Sequence, residues 1–244
     1  MKKKFFSSIR TFTRDFAIAS FWLATRLTWF PKFHYSGGKR VKRVIKGNAL
    51  VICNHATWFD PPVLCTFFPF RRVSVVTAKE LFSPQVAKSL ETLGCIRMDR
   101  DMVDIKCIRR CLELLKNGQV VSIFPEGKLN FEDNIQKFKP GAAMLAAMSK
   151  APVIPMYIAG NYRPFQRLQV IFGQPISYSE LSDSVNVNRI NEMTELLHSR
   201  MVELKSELEG KMKKKHLDTA RARREKLRAS QAAKEKAQEG TENG

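Results

Sequence analysis

Apolar positions recur at two different spacings along this chain. In residues 1–30, Phe5, Ile9, Phe12, Phe16, Ala19, Leu23, Leu27 and Phe30 follow one another at steps of three and four, which stacks them on one helix face. From residue 50 onward, short apolar runs at 50–53, 73–77, 95–98, 120–124, 153–158 and 169–172 have the length and β-branched content of buried strands. Helical spacing returns between and after them, at Ile105, Ile108, Leu112 and Leu115, at 142–148, and at 191–208 with Met193, Leu196, Leu197, Leu204 and Leu208. This alternation predicts an α/β fold, a mostly parallel central sheet flanked by helices. Residues 31–46, with Gly37-Gly38 and a dense basic cluster, read as a linker into that domain. Past Gly210 the core-forming residues nearly vanish and Lys, Arg, Ala, Glu and Gln take over. Three segments are therefore expected: an amphipathic, membrane-associating helix at 1–30, one domain at 31–210, and a basic helical or disordered tail at 211–244.

Charge changes the picture at the two ends. The 42 Lys and Arg against 23 Asp and Glu give a formal net charge of +19 over 244 residues. Such a surplus implies an anionic partner, either a phospholipid surface or nucleic acid. No zinc spacing or aromatic ribonucleoprotein strand is present, so nucleic acid is not the expected partner. Lys2, Lys3, Lys4, Arg10 and Arg14 accompany the N-terminal apolar stripe, and Trp22 and Trp29 suit a headgroup layer. Each basic residue near an anionic leaflet contributes on the order of 1 kcal/mol. The competing reading packs the stripe onto the domain. No run approaches the roughly 18 apolar residues of a spanning helix, and 16–30 is interrupted by Arg26. Peripheral or monotopic attachment at the cytoplasmic face of a membrane is thus expected. A signal peptide is disfavoured by Arg14, Asp15 and Arg26 crowding the apolar stretch. The five cysteines are odd in number and scattered through apolar segments, as in a reducing compartment. Cys107 and Cys111 lie one helical turn apart, but no further ligands stand nearby to complete a metal site.

Candidate chemistry clusters at strand ends, where α/β sheets gather ligands. Asn54-His55-Ala56-Thr57-Trp58-Phe59-Asp60 follows the apolar run at 49–53. Near neutral pH a histidine is the natural proton acceptor, and a carboxylate on its far nitrogen fixes the tautomer. Asp60-Pro61-Pro62 also reads as a helix start with Asp60 as N-cap, and both roles fit together. Cys53 is expected to face the sheet, so the base acts on a substrate hydroxyl, not on a protein nucleophile. Arg100 and Lys128 are candidate anion ligands, and Glu126, between Pro125 and Gly127, is an acid in a constrained turn.

Four blocks in this order resemble the 1-acylglycerol-3-phosphate acyltransferases of the glycerolipid acyltransferase family. They are Asn54-His55 to Asp60, Gly94-x-Ile96-x-x-x-Arg100, Phe124-Pro125-Glu126-Gly127, and Pro152-Val153-Ile154-Pro155. Phe138-Lys139-Pro140-Gly141-Ala142 resembles the family's lysine–glycine segment. The resemblance spans about residues 45 to 178. It implies that His55 deprotonates an acceptor hydroxyl that attacks an acyl thioester directly, with Asp60 orienting His55. By the same resemblance Arg100, in the block opened by Gly94, holds the acceptor's phosphate, and Glu126 with Gly127 shapes the acceptor pocket. Pro152, Val153, Ile154 and Pro155 would lie near the acyl donor. The implied partners are a lysophospholipid acceptor, an acyl thioester donor (acyl-coenzyme A or acyl carrier protein as co-substrate) and an anionic membrane surface. No metal or other cofactor is implied. The family usually continues its third block with Thr-Arg-Ser, where this chain has Lys128-Leu129-Asn130. Lysophosphatidate is the first acceptor expected; another lysophospholipid, an acyl-amino-acid lipid or a polyol is the alternative. A non-enzymatic basic lipid- or nucleic-acid-binding protein is the reading from a different class.

Overall fold

The structure is a computed structural model describing residues 2–38, 45–68, 71–101, 104–159, 162, 164–177, 186–212, 218, 222, 224–230 and 232–233. In chain order the elements are α1 (Lys2–Trp29), β1 (Lys32–Tyr35), β2 (Ala49–Cys53), α2 (Asp60–Cys65), β3 (Val73–Ala78), α3 (Ala87–Leu93), β4 (Cys95–Met98), α4 (Ile105–Lys116), β5 (Val120–Ile123), α5 (Gly141–Ser149), β6 (Val153–Ala159), β7 (Gln169–Phe172) and α6 (Val187–Lys211). The seven strands form one sheet in the order β1-β7-β6-β2-β5-β3-β4. Neighbours from β6 through β4 pair in parallel, and β7 runs antiparallel to β6. The expected mostly parallel sheet is therefore present.

Central strands are apolar throughout because both of their faces are covered. On β2, Leu50 and Ile52 join a core built with Cys111, Leu115, Ala143 and Leu197 of α4, α5 and α6. Ala49, Val51 and Cys53 point the other way, into a second core with Trp29 of α1 and Val63 and Leu64 of α2. Pairing of β2 with β5 on one side and β6 on the other brings the loops after Cys53 and Ile123 together at one sheet edge. That edge is where the crossing directions change, the place such folds reserve for ligands.

Two expectations need correction. Residues 31–46 do not form a simple linker: Lys32–Tyr35 is an edge strand, parallel to β7 with Phe33 opposite Val170. Four residues on an edge need only one neighbour, too weak a pattern to recognise in sequence, and the Phe33 ring docks against Phe67 at 5.3 Å. Residues 39–44, where the basic cluster falls, lie outside the described residues. Asp60 also does not cap α2 forwards: Phe59 occupies the cap position, and the Asp60 carboxylate turns back onto the preceding loop.

From Phe12 onward the predicted apolar stripe of α1 faces outward. Phe12, Phe16, Leu23, Leu27 and Phe30 are exposed, whereas Thr25 and Trp29 on the opposite face are buried. No described helix is long and apolar enough to cross a membrane. The described part of the tail includes a helical stretch at 224–230.

Candidate active site

Asn54, directly after β2, sets the path of the site loop. Its side chain accepts from the Ile158 N–H at 2.8 Å and donates to the Ile158 carbonyl at 3.1 Å, tying the loop to β6. His55 then stands at the strand end with its ring stacked on Phe124, centroids 4.2 Å apart. Its Nδ1 lies 3.2 Å from Asp60 Oδ2. The same oxygen accepts from the backbone N–H groups of Ala56 and Thr57, each at 2.7 Å. The other oxygen, Oδ1, accepts from Tyr162 Oη at 2.6 Å and from Thr57 Oγ1 at 3.3 Å. Asp60 is 1% exposed, so these five donors replace water around a buried carboxylate. An ionised Asp60 can only accept, which puts the imidazole proton on Nδ1 and leaves Nε2 with a free lone pair. Nε2 has no hydrogen bond among the described residues.

Tyr162 went unrecognised in sequence because it has no local relation to Asp60, 102 residues earlier. Burial, reinforced by the Asp60 charge, pushes its phenol pKa well up, so it stays a donor. Cys53 is fully buried, and burial beside Asp60 and Glu126 raises its thiol pKa well above the usual range. A thiolate nucleophile is not available there.

Glu126 sits beneath the loop. Its Oε1 accepts from the His55 N–H at 3.3 Å, and Oε2 accepts from Asn130 Nδ2 at 2.5 Å and the Gln136 N–H at 3.1 Å. Asn130 in turn donates its backbone N–H to the His55 carbonyl at 2.6 Å. Glu126 is thus a buried clasp between the His55 loop and residues 130–136, and burial raises its pKa. Asn130, one of the three departures from the resembled pattern, is what Glu126 holds.

A cavity of about 870 Å³ opens beside His55. Its lining combines apolar side chains, among them Ile18 and Phe21 of α1, Pro62, Val75 and Leu90, with Arg100, Lys128 and Leu129. Arg100 donates to the Gly127 carbonyl at 3.0 Å and pairs with Glu80 at 3.1 Å. Gly127 has φ +73°, and Lys139 crosses it so closely that a Cβ would meet Lys139 Cε at 2.9 Å.

His55, Asp60, Arg100, Gly127 and Lys128 are thus brought to one edge, with Glu126 behind them. Gly94 is not: it ends α3 in the left-handed region, at the opposite end of β4 from Arg100 and against the Arg14 guanidinium. Pro152, Val153, Ile154 and Pro155 are also apart from His55. They occupy the first half of β6, where Val153 pairs with Leu50 and Ile154 with Val51, while the site loop meets Ile158. A larger, more open groove of about 1340 Å³ runs past Gly94 at the N-terminal strand ends and contains neither His55 nor Asp60. Among the described residues, no three His, Cys, Asp or Glu are grouped to hold a metal ion.

The Acyltransferase family model matches residues 32–159, a stretch that carries all four blocks. The chain belongs to the acyltransferase family. Among its relatives is a 1-acyl-sn-glycerol-3-phosphate acyltransferase of Bacillus subtilis, 28% identical over 166 residues that cover 66% of this chain and 82% of the relative. A probable 1-acyl-sn-glycerol-3-phosphate acyltransferase of Mycoplasma genitalium is 26% identical, over 61% of this chain and 65% of its own length. The crystal structure of the 1-acyl-sn-glycerophosphate acyltransferase PlsC from Thermotoga maritima superposes with a TM-score of 0.57 at 21% identity, covering 82% of this chain and 89% of that one. At that identity the likeness supports the acyltransferase's fold alone.

Proposed function

We propose that this acyltransferase moves a fatty acyl group from an acyl thioester to the free hydroxyl of 1-acylglycerol 3-phosphate, giving phosphatidate. The observation that carries the reading is the His55–Asp60 pair, 3.2 Å apart, with His55 lining a cavity that also presents apolar side chains and cations. In the reaction, Nε2 of His55 takes the proton from the acceptor hydroxyl as its oxygen attacks the thioester carbonyl. Asp60 stabilises the imidazolium that forms. The tetrahedral intermediate then collapses, the C–S bond breaks, and the departing thiolate takes the proton back from His55. The apolar side chains of the lining suit an acyl chain, and its cations suit the acceptor's phosphate. The relatives named as 1-acylglycerol-3-phosphate acyltransferases support this choice of acceptor. A different phosphate-bearing lysolipid is the second reading, favoured only by the apolar Leu129 in the cavity lining.

The enzyme works as a peripheral protein on an anionic membrane. Support comes from the exposed α1 stripe, extended by Trp58 and Phe59 next to the site.

The test is thiol release by the full chain on anionic vesicles supplied with acyl-coenzyme A and lysophosphatidate, wild type beside His55→Ala. Acceptor-dependent release that falls roughly 10³-fold or more in the variant supports the reading. Equal turnover by both proteins removes His55 from the chemistry. Release with other lysolipids only, and none with lysophosphatidate, moves the assignment to the second reading.

A further inference from the structure

The tail beyond α6 contributes to the site, although nothing in the four blocks includes it. Arg224 is only 15% exposed at its side chain, buried by contacts that are polar. Its Nη2 donates to Tyr157 Oη at 2.8 Å, and Nη1 donates to Asp133 Oδ1 at 3.0 Å and to the Glu132 carbonyl at 3.3 Å. Tyr157 belongs to β6 and is 2% exposed, so Arg224 satisfies a phenol otherwise sealed from water. Asp133 and Glu132 lie in the 130–136 stretch that Glu126 clasps. The tail is therefore anchored to the same loop that supports His55.

Residues 224–230 are helical, so position 228 falls one turn on, on the face that Arg224 turns toward the protein. Arg228 lines the catalytic cavity together with His55, Arg100 and Lys128. Of these three cations, Arg100 is engaged by Glu80 and the Gly127 carbonyl. Lys128 and Arg228 have neither an ion pair nor a hydrogen bond among the described residues. Leu129, next to Lys128, offers an apolar side chain. Two cations outside any ion pair, against Glu132 as the one described lining carboxylate not held by Arg100, leave a cationic surplus that suits an anion bringing its own charge.

We propose that Arg228, delivered by the Arg224 anchor, is a phosphate-binding residue of the active site, acting with Lys128. Its ligand is a phosphate ester, either that of the lysolipid acceptor or one on a coenzyme A donor. The proposal rests on the acyltransferase reading for the identity of the ligands, but its test does not require turnover.

Calorimetric titration of the full-length wild type, Arg228→Gln and Arg228→Lys is the experiment. The probes are short-chain lysophosphatidate, coenzyme A, and a short-chain monoacylglycerol lacking phosphate, each below its micelle concentration. Losing one charge-assisted contact weakens binding roughly ten- to thirtyfold. Arg228→Gln is expected to show that loss for a phosphate-bearing probe and less than a threefold change for monoacylglycerol, with Arg228→Lys recovering most of the affinity. Loss confined to lysophosphatidate assigns the phosphate to the acceptor, and loss confined to coenzyme A assigns it to the donor. Unchanged affinity for both, equal loss on all three probes, or no binding of either phosphate probe by the wild type overturns the proposal. Arg228 is exposed, so the variants are expected to fold, and circular dichroism checks this. Silent kinetics with intact, Arg228-dependent phosphate binding would count against acyl transfer while leaving this site standing.

Discussion

Replacing Asp60 with asparagine separates the charge of that carboxylate from its geometry. Two backbone N–H groups, of Ala56 and Thr57, meet Oδ2 at 2.7 Å, so the amide oxygen takes that position and still accepts from His55 Nδ1. The amide nitrogen then faces Tyr162 Oη and Thr57 Oγ1, hydroxyls that rotate to accept. Orientation and tautomer of His55 survive, and the stability loss is about 1–2 kcal/mol, a fall of a few degrees in Tm. What disappears is the attraction between carboxylate and imidazolium. At 3.2 Å and an effective dielectric near 20 this amounts to about 5 kcal/mol. His55 keeps 16% side-chain exposure toward the cavity, and screening there brings the figure to about 3–5 kcal/mol. Asp60→Asn should therefore lower kcat/KM roughly 10²–10⁴-fold. The assay is thiol release on anionic vesicles with lysophosphatidate varied, and thermal unfolding is followed in parallel. A variant that unfolds within a few degrees of the wild type yet retains kcat/KM within threefold would refute a role for the Asp60 charge.

Tyr162→Phe removes one donor to the same carboxylate and leaves the buried packing. It should destabilise the protein by about 1.5–3 kcal/mol, and an unchanged urea midpoint would count against the bond. Glu126 supplies a pH dependence whose sign is set by its raised pKa. A buried acid with a folded pKa above its unfolded value of roughly 4.3 destabilises when ionised. Its contribution therefore improves as pH falls through the folded pKa toward the unfolded one. Stability of the wild type relative to Glu126→Gln should accordingly rise in urea unfolding as pH falls from neutral to the ordinary glutamate range, and a gap that stays flat or shrinks over that whole span contradicts the burial argument. Leu23→Ser with Leu27→Ser strips two exposed apolar side chains from α1 without touching its packed face. Vesicle sedimentation should show binding weakened roughly ten- to hundredfold, with helicity by circular dichroism retained; unaltered sedimentation would separate the stripe from the membrane.

Most strand positions and the longer helices were legible in the sequence because both depend on local periodicity. The seven-residue α3 (Ala87–Leu93) is too short to show a helical period and was not expected. The runs at 95–98 and 169–172 coincide with β4 and β7, and the others agree with their strands to within a residue at either end. The His55–Asp60 pair was legible for the same reason, since five residues of chain suffice to bring the two together. β1 was missed, because an edge strand of four residues is defined by its partner β7 and not by its own pattern. Gly94 and the 152–155 segment were expected by resemblance to serve the substrates, yet Gly94 falls at the opposite end of β4 from Arg100, and Val153 to Pro155 run alongside Leu50 to Ile52, before the strand end that carries His55.

Local sequence carried the α/β alternation, the pairing of His55 with Asp60 and the amphipathic stripe of α1. The tertiary structure alone decided the rest. It turned that stripe outward by burying Thr25 and Trp29 on the other face. It separated two buried acids of similar local appearance, placing Asp60 against an imidazole and Glu126 against backbone amides. It also carried Tyr162 to Asp60 and Arg224 to Tyr157, across 102 and 67 residues of chain. Such contacts have no period and no fixed spacing. They exist only because the sheet order brings distant strand ends to one edge, where each buried polar group must find whichever partner the fold delivers.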